Sequence, residues 1–241
     1  MTTPDLMVSG GPLDRRGRRR SPAAQPGYQP PRPPATKGWK YPPQPLDVED
    51  IVRCLSACIP QRPGRHAELS AIRLRALIVV FWRTGLRMTE GLALEESDLH
   101  PQDRMIVVRC GKGGKRRLVL MDEWGWRELD RWLQIRATMR VGQIFCVLDG
   151  PSAGRALLDS DVRRQLRRVG QDAGIRQRLH AHGLRHTHAC ELYREGVDIY
   201  AIQAQLGHAS LAVTEAYLRG MAVTEVLAPI GRRRPPMVKL T

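Results

Sequence analysis

Residues 67–85, "AELSAIRLRALIVVFWRTG", carry apolar side chains on nearly every turn of a helical wheel, and Gly85 supplies a C-terminal stop. That run predicts a helix buried over most of its circumference. Before it, "LDVEDIVRCLSACIP" (46–60) has the pattern of a short helix with Asp47 at its N-cap. After it, "LRMTEGLAL" (86–94) reads as another short helix. The period then changes. "RMIVVRC" (104–110) and "KRRLVLM" (115–121) are β-like, and "GKGG" between them predicts a hairpin with a lysine near its tip. Helical spacing returns in "MDEWGWRELDRWLQIRATM" (121–139), where Trp124, Trp126 and Trp132 are expected in a core. A loop around "LDGPSAGRALL" leads to a basic helix, "SDVRRQLRRVGQDAG" (160–174). Three more helices follow in "HGLRHTHACELYREG", "DIYAIQAQLG" and "SLAVTEAYLRG", with Asp198 and Ser210 placed to cap the last two. The expected fold class is mainly α with a small antiparallel β-hairpin or sheet, an α+β arrangement without internal repeats.

Composition divides the chain. Residues 1–45 hold 11 of the 18 prolines and a net charge of +6, with "DRRGRRR" and "QPPRPPATKGWKYPPQP" as the clearest stretches. Such a segment buries too little apolar area to offset its ordering entropy, so a disordered Pro/Arg-rich arm is expected. A globular domain is expected over 46–228 and a basic flexible tail over 229–241. The 241 residues carry +15 in all, so +9 remains on residues 46–241. That balance points to a polyanionic partner, nucleic acid before an anionic membrane surface. No apolar run is long enough for a membrane span, and no apolar stretch follows the N-terminal arginines as a secretory signal requires. Cys54, Cys58, Cys110, Cys146 and Cys190 form no CxxC pair, which favours reduced thiols and a cytoplasmic setting. Cys54 and Cys58, four apart, are expected on one helix face.

The chemistry concentrates in "HAHGLRHTH" (180–188), four histidines and an arginine within nine residues. His182 and His186 are spaced as zinc ligands can be, but no HExxH, cysteine pair or carboxylate accompanies them. No metal and no cofactor are expected. His186 and His188 are expected behind the site and His180 facing solvent or DNA. His182 and Arg185 are three apart, so on a helical start they share a face. Arg87 and Glu90 have the same spacing.

Four blocks occur in order: "TGLRMTEGLAL", "GKGGKRR", "HGLRHTHA" and "LGHASLAVTEAYL". They resemble the signature blocks of the tyrosine recombinase (phage integrase) family, over roughly residues 50–220. The resemblance implies a catalytic domain in which Arg87, His182, Arg185 and His208 hold a scissile phosphate, Lys112 is the mobile general acid and Tyr217 the nucleophile. It also implies a carboxylate behind Arg87, here Glu90. Cleavage is then metal-independent, through a 3′-phosphotyrosine. The chemistry is consistent with those residue types. A transferring phosphodiester gathers negative charge on its non-bridging oxygens, and arginine forks that stay charged can stabilise it. A phenol with a pKa near 10 needs flanking cations and a histidine that accepts its proton.

Lys115, Arg163, Arg164, Arg167 and Arg168 are expected to contact the DNA backbone, in a salt-dependent and sequence-blind way. The expected partners are double-stranded DNA, further copies of the chain (a tetramer on DNA) and accessory DNA-binding proteins, in the nucleoid. The family usually carries a separate helical DNA-binding domain before the catalytic one. Here about 45 proline-rich residues stand in that place, so a catalytic-domain-only variant, a truncated remnant or the product of a late start codon is expected. The competing expectations are a non-catalytic DNA-binding remnant of an integrase, a type IB topoisomerase-like activity and a zinc hydrolase.

Overall fold

A computed structural model of the protein describes residues 45–60, 64–109, 116–137 and 142–218. Their order is α1 (Val48–Ser56), α2 (Arg65–Thr84), α3 (Met88–Leu92), β1 (Leu99–His100), β2 (Met105–Val108), β3 (Arg117–Leu120), α4 (Glu123–Arg136), α5 (Asp159–Asp172), α6 (Ala181–Arg194), α7 (Ile199–Leu206) and α8 (Leu211–Leu218). The arm up to residue 44, the hairpin turn with Lys112 and Lys115, Cys110 and the tail from 229 lie outside the described residues.

Helix α2 runs through the centre, with α4 and α6 packed against it. The successive residues Leu77 to Phe81 are all at most 1% exposed, which requires cover on every side of the helix. Each such side chain removed from water contributes about 1.5–3 kcal/mol. The N-terminal turns of α2 stay open, so the all-round burial expected from sequence holds only for its C-terminal half. Trp132 is fully buried and its indole nitrogen donates to the Ile144 carbonyl at 2.9 Å. Trp126 is also buried, while Trp124 stays part-exposed and meets Trp82 edge-on at 5.7 Å.

The strands form one antiparallel sheet in the order β1-β2-β3, with Met105 opposite Leu120 and Val108 opposite Arg117. The two-residue strand β1 has too little length to show a period, and the sequence pattern gave no sign of it. The free edge of β3 is closed by a side chain. Gln205 of α7 accepts from the Leu120 amide at 3.0 Å and donates back to the Leu120 carbonyl at 2.8 Å, as a further peptide group would. The hairpin is thereby fastened to the C-terminal turn of α7.

Asp198 caps α7 as its position predicts, its carboxylate accepting from the Tyr200 amide at 2.8 Å. Asp47 occupies the N-cap of α1 without a side-chain cap bond. Cys58 lies past the end of α1, and its thiol donates to the Cys54 carbonyl, so the two cysteines do not share a helix face. No helix among the described residues is long and apolar enough to cross a membrane.

Candidate active site

The last turn of α7 collects the arginines. A helix C-terminus leaves carbonyls without intrahelical donors and carries partial negative charge. Here Arg117 Nε donates to the Gln205 carbonyl at 3.4 Å, Arg185 Nη2 to Leu206 at 2.7 Å, and Arg87 Nη2 to Gly207 at 3.0 Å. Three guanidinium groups from β3, α6 and the start of α3 thus meet three consecutive carbonyls.

Two glycines make this approach possible. Gly85 ends α2 and Gly207 ends α7, both with φ +64°. A Cβ on Gly207 would stand 2.8 Å from Arg117 Cδ, and one on Gly85 would stand 2.5 Å from Leu206 Cδ2 and 2.9 Å from the His188 ring. Glycine is therefore required twice over, by backbone conformation and by space. The Gly85 carbonyl accepts the other end of Arg185, from Nη1. Arg185 is 2% exposed, so its orientation is fixed from both sides.

Arg87 is the N-cap residue of α3, and Glu90 stands one turn in. Glu90 Oε2 accepts from the Arg87 amide at 2.9 Å and Oε1 from Arg87 Nη1 at 2.7 Å, as the three-residue spacing anticipated. Arg117 grips the same carboxylate from the strand side, Nη1 to Oε1 at 2.9 Å and Nη2 to Oε2 at 2.7 Å. Burial alone would raise the Glu90 pKa, but the hydrogen bonds from Arg117 and Arg87 outweigh it and hold the group at about 2. Sequence reasoning assigned no role to Arg117. Strand alternation carries the missing signal: Arg117 and Val119 share the inward side of β3, and an inward arginine requires a buried acceptor.

His182 sits in the first turn of α6 and lines, with Arg87, Arg163, Arg178, His180 and Arg185, a cavity of about 280 Å³. Burial lowers its pKa, and the neighbouring His180 and Arg185 lower it further. His208 follows Gly207 directly and is buried, its Nδ1 2.9 Å from the Thr214 hydroxyl. Burial, then the charges of Arg185, Arg87 and Arg117, push it down to about 3. Both shifts favour the neutral imidazole. Tyr217 belongs to α8, nine residues past His208; its side chain lies outside the described residues. His186 and His188 are buried and do not line the cavity, while His180 is exposed and does. Among the described residues no group of three or more histidine, cysteine or acidic side chains gathers as a metal site requires.

The arginines of α5 are less free than their sequence suggests. Arg163 pairs with Asp159, Arg164 with Asp161 and Arg168 with Asp172, all on the same helix. Arg167 is exposed and has no ion pair among the described residues. Only Arg163 reaches the cavity.

The profile of the phage integrase family matches residues 45–222. The chain is 32% identical over 185 residues to tyrosine recombinase XerC of Alcanivorax borkumensis, covering 76% of this chain and 58% of that protein. It is 33% identical over 177 residues to tyrosine recombinase XerA of Thermococcus kodakarensis, covering 73% of this chain and 58% of the relative. The chain thus spans a little over half the length of the curated relatives it matches. Among solved structures, it is similar to a XerA recombinase, with TM-score 0.68 and 31% identity over 81% of this chain and 67% of that one. It is also similar to a XerH site-specific recombinase bound to palindromic difH substrate, with TM-score 0.64 and 27% identity over 80% of this chain and 54% of that one.

Proposed function

The chain belongs to the phage integrase family of tyrosine recombinases, and from that premise we propose that it cuts and rejoins DNA strands at a specific site through a 3′-phosphotyrosine. The observation that supports this most is the meeting of Arg87 and Arg185 on the C-terminal carbonyls of α7, with His182 and His208 beside them, both shifted toward the neutral imidazole. A scissile phosphate occupies the cavity lined by Arg87, His182 and Arg185. The arginine forks neutralise its non-bridging oxygens. The phenol oxygen of Tyr217 bonds to phosphorus, and its proton passes to a neighbouring histidine, His182, while His208 stays a phosphate-side donor. The bond to the 5′ oxygen breaks, and Lys112 protonates that oxygen as it leaves. Attack by a second 5′-hydroxyl reverses these steps and joins a new strand.

Lys115 and the α5 arginines Arg163, Arg164, Arg167 and Arg168 hold flanking backbone phosphates, the paired ones by exchanging an aspartate for DNA. Exposed pairs of this kind are weak in water, so the exchange costs little. The likeness to a XerH site-specific recombinase bound to its palindromic difH substrate supports double-stranded DNA as the substrate in this reading, and a tetramer on DNA is the assembly that exchanges two pairs of strands. Residues 46–228 form the catalytic unit in this reading, flanked by the basic arm and tail.

The test is a nicked suicide substrate, which loses a short 5′-hydroxyl strand on cleavage and traps the covalent complex. Wild-type protein is expected to form the adduct. Tyr217→Phe is expected to bind DNA with similar affinity and form none. An adduct that survives this substitution rules out the nucleophile, and DNA binding without any wild-type adduct favours the non-catalytic remnant.

A further inference from the structure

We propose that Arg117 is a positioning residue of the cleavage site: by holding Glu90 from the strand side, it leaves Arg87 oriented and charged toward the phosphate. This rests on the reading of Arg87 given above.

The geometry carries the inference. The Glu90 carboxylate accepts four hydrogen bonds, two on each oxygen, and two of the four come from Arg117. A carboxylate has about four acceptor directions, so this one is saturated. Its plane is set by the parallel fork of Arg117, and Arg87 must address an acceptor whose position is already fixed. The Arg117 stem is itself fixed, since Cδ, Nε and Cζ lie against Gly207, and Nε reaches the Gln205 carbonyl. The same side chain thus touches the carboxylate behind Arg87 and the loop leading to His208.

Charge gives the second reason. Glu90 and Arg87 alone would form a neutral pair beside the phosphate. With Arg117 included, one carboxylate is shared by two guanidiniums, and a full positive charge remains. Without Arg117, the fork of Arg87 is free to turn into bidentate pairing with Glu90. The donors meant for the phosphate would then be spent on the carboxylate. The further charges near Glu90 are Glu95, Asp98 and Arg109, which line a cavity with it. Arg109 already pairs there with Glu95 and Asp98 at 3.1 and 3.0 Å. It is therefore not available to replace Arg117.

The experiment measures adduct formation on the nicked substrate at saturating DNA, with the DNA dissociation constant measured separately, for wild type, Arg117→Met, Arg117→Lys, Glu90→Gln and the Glu90→Gln/Arg117→Met double variant. Arg117→Met is expected to slow adduct formation about a hundredfold, the scale of a lost transition-state donor, and to change the dissociation constant less than about threefold. Arg117→Lys keeps the charge without the fork and is expected to recover about a tenth of the wild-type rate. With Glu90 neutralised there is no charge to counter, so the double variant is expected within about threefold of Glu90→Gln alone, a strong departure from additivity. Fully multiplicative losses, or unchanged rates in both Arg117 variants, overturn the proposal. If Arg117→Met does not fold, the selective rate loss in Arg117→Lys carries the test. A wild-type protein that forms no adduct defeats the underlying reading of the site; a wild-type adduct with indifferent Arg117 variants defeats this inference alone.

Discussion

At the scale of single residues, the most informative side chain is Arg185, because it is both buried and the anchor of two helix ends. Replacing it by methionine leaves the Gly85 and Leu206 carbonyls inside the protein without their donor. Each orphaned carbonyl costs on the order of 1–3 kcal/mol. Arg185→Met is therefore expected to lower unfolding stability by about 2–4 kcal/mol in denaturant melts, against less than about 0.5 kcal/mol for Arg167→Ala on the exposed face of α5. Equal effects would contradict the placement of Arg185. The buried histidines give a second prediction. His188 is held at about 3 by burial and then by the Arg83 and Arg185 charges, and His208 at about 3 by burial and the site arginines. Both would titrate near 6.5 in the unfolded chain. Between those values the unfolded state binds more protons, so their contribution is complete above about pH 6.5 and is lost as pH falls toward 3. Denaturation midpoints should be lower at pH 5 than at pH 7.5, and the difference should shrink in His188→Asn. A midpoint that rises on acidification would show these imidazoles to be paired with carboxylates, and one that does not change would show them to be exposed. The side chains of this site were legible in sequence to different degrees. Arg87 and Glu90, and His182 and Arg185, stand out through the blocks that resemble the family's, and their three-residue spacing is consistent with shared helix faces. Arg117 gives no such sign, because its acceptor Glu90 lies 27 positions away on another element. The carbonyl acceptors on α7 leave no mark on the side-chain sequence at all.

At the scale of elements, the glycines in "TGL" and "LGH" mark how α2 and α7 end. Both are left-handed, and both face a neighbour too close for a Cβ. Gly196, at φ +86°, has open space around it and isolates the conformational cost. Gly207→Ala is expected to destabilise by about 2–4 kcal/mol, and Gly196→Ala by about 1 kcal/mol. Gly207→Ala should also slow DNA cleavage, since the displaced groups are Arg117 and the carbonyl that holds Arg87. Thermal melts and adduct assays on the two variants check this, and matched losses would mean that α7 and Arg117 do not meet. Element types were read correctly from period wherever the segment was long. The misses were short or depended on tertiary partners. Strand β1 exists only through its pairing with β2, and the Gln205 clamp on β3 joins residues 85 apart.

At the scale of the whole molecule, the positive charge and the family fold point to the same partner. DNA affinity should fall steeply with salt, and each arginine that neutralises a phosphate contributes about one unit to the slope of log K against log [salt]. Arg167→Ala should reduce that slope by about one unit. Arg164→Ala should reduce it by less, because Asp161 competes for that side chain. Titrations from 50 to 300 mM salt distinguish the two, and a slope unchanged in both variants would remove α5 from the interface.

The proposed chemistry converges on a phosphorus–oxygen bond to Tyr217. The most direct measurement is tandem mass spectrometry of the nuclease- and protease-trimmed adduct trapped on the nicked substrate. The expected result is a nucleotide mass on the peptide containing Tyr217, with fragment ions placing it on that phenol. The same mass on Tyr193 or Tyr200, or on no tyrosine, would contradict the account.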